Sequence, residues 1–202
     1  MKKSQSGFTL IEMAIVLVII GLLIGGVLKG QEMINNAKLK RIAADFEGIA
    51  AAIFSYQDRY RALPGDDAQA AVRWGAGITV GNANGIVLGN WNSVTNTDET
   101  RIFWQHLRNS NLTSGPLTGA TSFAQPINAY GGVIGIQNGN YALTGMVVCM
   151  GGLTAKDAEI IDTQLDDGIA ATGNVRSNTI NVAAAGAANY TAVIPYSVCR
   201  RL

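Results

Sequence analysis

The chain has 202 residues, of which 48% are apolar and 14% are charged. This composition suits one hydrophobic core plus an appended segment, and it argues against a disordered chain. The 15 basic and 14 acidic residues give a formal charge of +1, without a run of either sign that would follow a phosphate backbone, so nucleic acid is not an expected partner. Two cysteines and one histidine are too few for most Cys/His zinc sites.

The first long feature is an apolar run from Phe8 to Leu28, which holds one charged residue in 21 positions. At ~1.5 Å per residue, a helix of this length crosses a bilayer. The run is too long for the apolar part of a secretory signal peptide, which has about 7 to 15 residues. Its charged residue is Glu12, and an ionisable group at membrane depth needs a partner. A plain uncleaved anchor with Glu12 at headgroup level is the alternative interpretation.

The residues around Glu12 carry a family resemblance. A short basic leader, MKKSQSG, is followed by FTLIE and then by the rest of the apolar run. This pattern resembles the class III signal of type IV prepilins, the precursors of type IV pilins and type II secretion pseudopilins. The resemblance implies that prepilin peptidase cleaves between Gly7 and Phe8, that Phe8 becomes N-methylated, and that Glu12 meets the Phe8 amine of a neighbouring subunit.

The resemblance also implies a location and partners. The precursor would reside in the bacterial inner membrane with its globular part in the periplasm or outside the cell, and would then enter a pilus or pseudopilus. Expected partners are the prepilin peptidase, a pilus or secretion assembly platform, other pilin subunits and copies of this chain. The positive-inside rule points the other way, because Lys29, Lys38, Lys40 and Arg41 follow the span and only two lysines precede it.

Beyond the span, apolar side chains recur at steps of three and four along about six helical turns. They are Leu39, Ile42, Phe46, Ile49, Ile53, Tyr56 and Tyr60. The stripe predicts docking on the chain's own domain; its aromatic members disfavour the alternative, a coiled-coil seam. Since no proline precedes Pro64, one helix can run from Phe8 to about Arg61. The predicted divisions are leader 1–7, membrane and filament-core helix 8–28, amphipathic helix 29–61 and globular domain 62–202.

The remaining residues predict an α+β domain in which an antiparallel sheet packs on the long helix. The turn residues of the LPGD segment, residues 63–66, end that helix. Short helices are predicted after Thr97 or Asp98 and after Thr154, where Asp157 completes a capping-box pattern. The strand predictions are Gly132 to Gln137, Tyr141 to Cys149 and Ala192 to Cys199, with a hairpin turn at Asn138, Gly139 and Asn140.

The two cysteines are Cys149 and Cys199. Outside the cytoplasm they can form a disulfide, and inside it they would remain buried thiols. Many pilins have a disulfide-bounded C-terminal region, so the resemblance implies that this pair is bonded.

The remaining patterns give little support for a metal, catalytic or phosphate-binding site. Asp162, Asp166 and Asp167 could supply oxygens to calcium, as happens in the C-terminal region of some major pseudopilins, but their spacing matches no EF-hand loop, and solvated carboxylates are expected. His106 is accompanied by no nucleophile motif, so neither a cofactor nor catalysis is predicted. The Gly- and Asn-rich stretch from Gly75 to Thr97 has no phosphate-binding motif and predicts loop and short strand.

The predicted function is therefore mechanical: a membrane-stored subunit is cleaved and stacked through its first helix. The LPGD turn favours a minor pilin or pseudopilin, with a major pilin as the alternative. A rival from another class is an uncleaved single-pass membrane protein whose external domain binds a ligand.

Overall fold

The structure is a computed structural model that describes residues 9–179, 190 and 195–202. Helix α1 spans Leu10–Tyr60, and the chain separates into two compact units between Lys38 and Leu39, so α1 contributes residues to both. Gly7 and Phe8, the predicted cleavage site, lie outside the described residues. So do residues 192–194 of the third predicted strand.

The second unit combines a sheet with short helices. The strands are β1 (Ile134–Asn140), β2 (Leu143–Leu153), β3 (Val175–Thr179) and β4 (Tyr196–Arg201). Their order in the sheet is β1-β2-β4-β3, and all three pairings are antiparallel. The helices are α2 (Ala70–Trp74), α3 (Glu99–Asn109) and α4 (Ala155–Leu165), with a 3-10 turn at Ala120–Phe123. The predicted α+β class is confirmed.

The apolar stripe of α1 packs within this second unit. Its members from Leu39 to Tyr56 are buried, while Tyr60 is half-buried. They share one core with the sheet residues Ile136, Val148 and Val198. Burying such a side chain stabilises the fold by about 1.5–3 kcal/mol. The expectation that the stripe docks on the chain's own domain is therefore confirmed, and the coiled-coil alternative is not needed to account for it.

Two predicted helix starts are confirmed. Helix α3 begins directly after Asp98, and α4 begins directly after Thr154. The Thr154 hydroxyl accepts a hydrogen bond from the Asp157 backbone N–H at 3.2 Å and donates one to Asp157 Oδ2 at 2.7 Å. The side-chain cap predicted at α4 is therefore present, whereas Asp98 lies at the N-cap of α3 without a side-chain capping hydrogen bond.

The predicted hairpin turn was wrong by two residues. The turn is formed by Tyr141 and Ala142, whose φ angles are 50° and 61°, and Asn140 pairs with Leu143 across it. A two-residue hairpin turn with both φ values positive matches the twist of the flanking strands. The glycine that suggested the turn, Gly139, has a φ of 69° and lies at a register shift within β1 instead. Strand β3 was not predicted, because its sequence VRSNT is mostly polar.

The short strand expected between Gly75 and Thr97 is absent, since all of these residues are described and none is in a strand. Buried carboxylates hold this loop instead. Asp66 of the LPGD turn accepts hydrogen bonds from the backbone N–H groups of Asn84 and Gly85 at 3.0 and 2.7 Å, and Glu99 accepts one from Leu88 at 2.8 Å. The loop thus satisfies its backbone groups with side chains from α3 and from the turn that follows α1.

Candidate assembly segment and disulfide region

Glu12 lies in the first turn of α1 and caps its own helix. The Glu12 carboxylate accepts two hydrogen bonds from Thr9, one from the backbone N–H and one from the hydroxyl, both at 2.8 Å. In return, the Glu12 N–H donates to the Thr9 hydroxyl oxygen at 3.3 Å. This is a reciprocal capping box, which satisfies backbone donors that an α-helix leaves open at its start. The T-x-x-E spacing was present in the sequence as a signal for this cap, and sequence reasoning missed it.

The segment that follows Glu12 exposes its apolar side chains in every direction. Leu17, Val18, Ile19 and Ile20 are consecutive, and each is between 46% and 69% exposed. By length and composition, α1 is the one helix in the described part of the chain that could cross a bilayer. A helix that is apolar on all sides requires an apolar environment on all sides.

Four glycines leave parts of this segment without side chains. A Cβ atom added to Gly21, Gly25, Gly26 or Gly30 would meet no atom within 4 Å, so none of them is needed for packing within the described structure. In membrane helices, such small residues allow two backbones to approach closely. Beyond the apolar run, the exposed side chains of Lys29 and Glu32 form an ion pair at 2.8 Å, which marks the return to polar surroundings.

Cys149 and Cys199 are joined by a disulfide. They lie directly opposite each other on the neighbouring strands β2 and β4, and both are fully buried. With a sequence separation of 50, the closed loop contributes about 4 kcal/mol in the chain-entropy model. The disulfide therefore links the two central strands of the sheet and holds the C-terminal strand in place.

The three aspartates considered for calcium come together at the end of α4. One carboxylate oxygen of each lies within 4.8 Å of the others. Asp162 is buried rather than solvated as expected, and its Oδ2 accepts a hydrogen bond from the Tyr190 hydroxyl at 2.6 Å. Burial raises the pKa of the Asp162 carboxyl. Asp166 accepts a backbone hydrogen bond from Val175 at 2.9 Å, and Asp167 accepts one from Ile169 at 2.9 Å, so both carboxylates organise the loop that leads to β3.

His106 lies in the core of the second unit, where it joins the LPGD turn to the long loop. Its Nδ1 accepts a hydrogen bond from the Gly65 N–H at 3.0 Å, and its Nε2 lies 2.7 Å from the Thr79 carbonyl oxygen, to which it donates. This arrangement requires the neutral imidazole with its proton on Nε2. Burial lowers the pKa of His106 to about 4. The neutral side chain of His106 therefore has a structural role.

Comparison with known proteins identifies the N-terminal segment. Residues 2–28 match a family model described as the prokaryotic N-terminal methylation motif. A search of curated proteins and a search of solved structures each gave no match. The matched residues include Glu12 and the apolar run that is exposed in the structure. The chain therefore carries, at its N-terminus, the class III signal peptide of type IV pilins and pseudopilins.

Proposed function

We propose that this chain is the precursor of a structural subunit of a type IV pilus or pilus-like filament. Prepilin peptidase cleaves it after Gly7, Phe8 is methylated, and residues 8–28 become part of the filament core. The observation that carries this proposal is the methylation motif at residues 2–28, which leads directly into a helix whose apolar side chains are exposed. A helix of this kind is stored in lipid and then covered by the corresponding helices of neighbouring subunits.

Exposure of this surface to water would be costly for a free-standing soluble subunit. Each Å² of apolar surface removed from water contributes about 25 cal/mol, and the whole circumference of the segment is apolar. Lipid covers that surface before assembly, and neighbouring subunits cover it afterwards. The two environments are similar in hydrophobicity, so packing and polar contacts, rather than hydrophobicity alone, favour the filament.

Glu12 supplies such a polar contact. Its capping bonds come from neutral Thr9 groups, and within the described residues it takes part in no ion pair. A carboxylate in an apolar core gains most from a countercharge with good geometry. The methylated amine of Phe8 on a neighbouring subunit provides this charge in our proposal. Pairing would then fix the axial offset between subunits.

The globular domain provides the body of the subunit outside the inner membrane, in the periplasm or at the cell surface. A disulfide in this domain suits an oxidising compartment. We assign the chain to the minor pilins or pseudopilins rather than to the major pilins, on the basis of the LPGD turn. Its partners are then the prepilin peptidase, an assembly platform and other pilins.

Mass spectrometry of the chain extracted from membranes of its own cells tests the processing step. The expected product lacks residues 1–7 and carries one methyl group on its N-terminus. An intact N-terminus, in cells whose other prepilins are processed, would favour the rival function of an uncleaved single-pass membrane protein with an external ligand-binding domain.

Quantification of purified filaments tests the role within the class. A minor pilin or pseudopilin is expected at a small fraction of the copies of the main subunit in sheared surface filaments. If this chain makes up the bulk of the fibre, the assignment to the minor subunits is wrong while the filament proposal stands.

A further inference from the structure

The disulfide lies on the face of the sheet that is turned away from α1, beneath a second apolar cluster. Val147, Cys149 and Cys199 point to this face, while Val148 and Val198 belong to the core that includes α1. The buried members of the outer cluster are Trp91, Tyr141, Leu143, Val147, Cys149 and Cys199. Both cysteines are fully buried, and Trp91 is only 5% exposed. The sulfurs are thus covered by a small core of their own.

A short loop segment forms part of this cover. We call residues 90–92 the Trp91 cap. The Trp91 backbone N–H donates to Gln137 Oε1 at 3.0 Å, and the Trp91 carbonyl accepts a hydrogen bond from the Gln125 side chain. The cap lies so close to β1 that a Cβ atom on Gly135 would be 1.8 Å from the Trp91 carbonyl oxygen. Gly135 therefore provides the space in which the cap docks.

Residues at the hairpin turn complete the cover. The Asn140 side-chain amide lies 3.6 Å from the sulfur of Cys149 and 3.3 Å from that of Cys199. The Tyr141 hydroxyl is hydrogen-bonded to the Ser197 hydroxyl, which ties the turn to β4. The turn belongs to the sheet itself, whereas the cap comes from the loop between α2 and α3. The cap is thus the part of the cover that does not belong to the sheet.

Thiol–disulfide exchange needs direct access to sulfur. A thiolate attacks one sulfur of a disulfide and displaces the other, forming a mixed disulfide, and a second thiol then resolves it. We infer that the Trp91 cap gates this exchange, so that external thiols and disulfides react with Cys149 and Cys199 only while the cap is undocked. Oxidation by an external disulfide, which gains the two electrons and two protons that the cysteines lose, is then complete before the cap docks on Gly135.

Reduction kinetics of the full-length chain in detergent micelles test this inference. The oxidised protein is incubated with dithiothreitol, quenched with an alkylating agent at successive times and analysed by mass. Trp91→Ala is expected to be reduced at least about tenfold faster than the unchanged chain, which corresponds to about 1.4 kcal/mol in the opening equilibrium. Val94→Ala, at an 86% exposed position of the same loop, is the matched control and is expected to leave the rate unchanged.

A second variant and a second measurement separate cap opening from unfolding. Gln137→Ala removes the acceptor of the Trp91 N–H and keeps the indole, and it is also expected to accelerate reduction. Global stability of each variant is measured by urea unfolding, and reduction is repeated at low urea concentrations. If the Trp91 cap gates the exchange, the reduction rate should depend less on urea concentration than global unfolding does, because opening the cap exposes little surface. Equal rates in all folded variants, or a urea dependence equal to that of global unfolding, would overturn the inference.

Discussion

The two parts of α1 are built from the same backbone hydrogen bonds but have different side-chain patterns. In the part before Lys38, four consecutive residues, Leu17 to Ile20, are all exposed and all apolar. In the part from Leu39 onward, most of the large apolar residues lie on one stripe, and Ile42 and Phe46 within it are fully buried, while Phe54 off the stripe is 58% exposed. The second part thus has its partner in the same chain. The first part has an apolar surface that no other described residue of the chain covers.

Removal of the Glu12 carboxylate, in the first part of α1, is expected to have the largest effect of all the substitutions. Glu12→Ala should leave cleavage after Gly7 intact and reduce filament number by about 100-fold or more, because losing one partner of a buried charge pair costs about 3–5 kcal/mol. Electron microscopy counts the filaments, and mass spectrometry verifies cleavage.

The matched control is Glu32→Ala. Glu32 is exposed and pairs with Lys29 outside the apolar run, so filament number should stay within about twofold of the unchanged chain. Normal filaments from Glu12→Ala would remove the basis for the proposed pairing with Phe8.

Truncation of one apolar side chain in each part of α1 tests whether only the second part packs on the globular domain. Phe46→Ala is expected to lower the free energy of unfolding of the globular domain by about 3–5 kcal/mol, because it removes a fully buried aromatic ring. Leu22→Ala, at a position that is 73% exposed, should change it by less than about 0.5 kcal/mol. Urea unfolding of both variants in micelles, followed by tryptophan fluorescence, measures the difference. A similar loss in both variants would contradict the division of α1 into a self-packed and an unpacked part.

His106, which lies in α3, gives the stability of the second unit a pH dependence. Its folded pKa of about 4 lies below the ordinary value of 6.5, so the folded state favours the neutral ring. This contribution is fully present above pH 6.5 and is lost as the pH falls toward 4. The loss between pH 7 and pH 5 is expected to be about 2 kcal/mol from these two pKa values.

The variant His106→Gln isolates this effect from other titrating groups. Unfolding free energies of both proteins are measured at pH 7 and pH 5, and the variant should lose about 2 kcal/mol less over this interval. An equal loss in the two proteins would show that His106 is not the titrating group.

The smallest effect is expected at the helix start. Thr9→Val removes the hydroxyl of the capping box and should weaken the first turn of α1 by about 1 kcal/mol, so that its amide hydrogens exchange about fivefold faster. Thr9→Ser keeps the hydroxyl and should leave the exchange rate unchanged. Hydrogen exchange of the chain in micelles, read by mass spectrometry of N-terminal peptides, measures both. If the two variants exchange equally, the hydroxyl does not contribute to the cap.

Features that depend on neighbouring residues along the chain could be predicted from the sequence. The apolar run, the stripe from Leu39 to Tyr60 and the helix start at Thr154 all follow from periodicity or from a cap within one turn. The class III signal is also local, because FTLIE and the basic leader are contiguous. The capping role of Glu12 is equally local, because Thr9 and Glu12 have the T-x-x-E spacing of a capping box.

Features that join distant residues were decided by the tertiary structure. The hairpin turn lies at Tyr141 and Ala142 rather than at the predicted residues 138–140, because the register shift at Gly139 changes which residues face each other. Strand β3 is mostly polar, and its place in the sheet depends on β4 beside it and on the Asp166 carboxylate, which accepts the Val175 N–H.

The distinction between local sequence features and contacts between distant residues also applies to the N-terminal signal, the disulfide and His106. Composition and motif alone determined that this chain has a pilin-like N-terminal signal and an α+β domain. Only the folded structure brought Cys149 opposite Cys199, buried His106 between Gly65 and Thr79, and placed Trp91 in one buried cluster with the disulfide. The physical reason is that a helical or signal pattern repeats over a few residues, whereas strand register and burial depend on residues that only folding brings into contact.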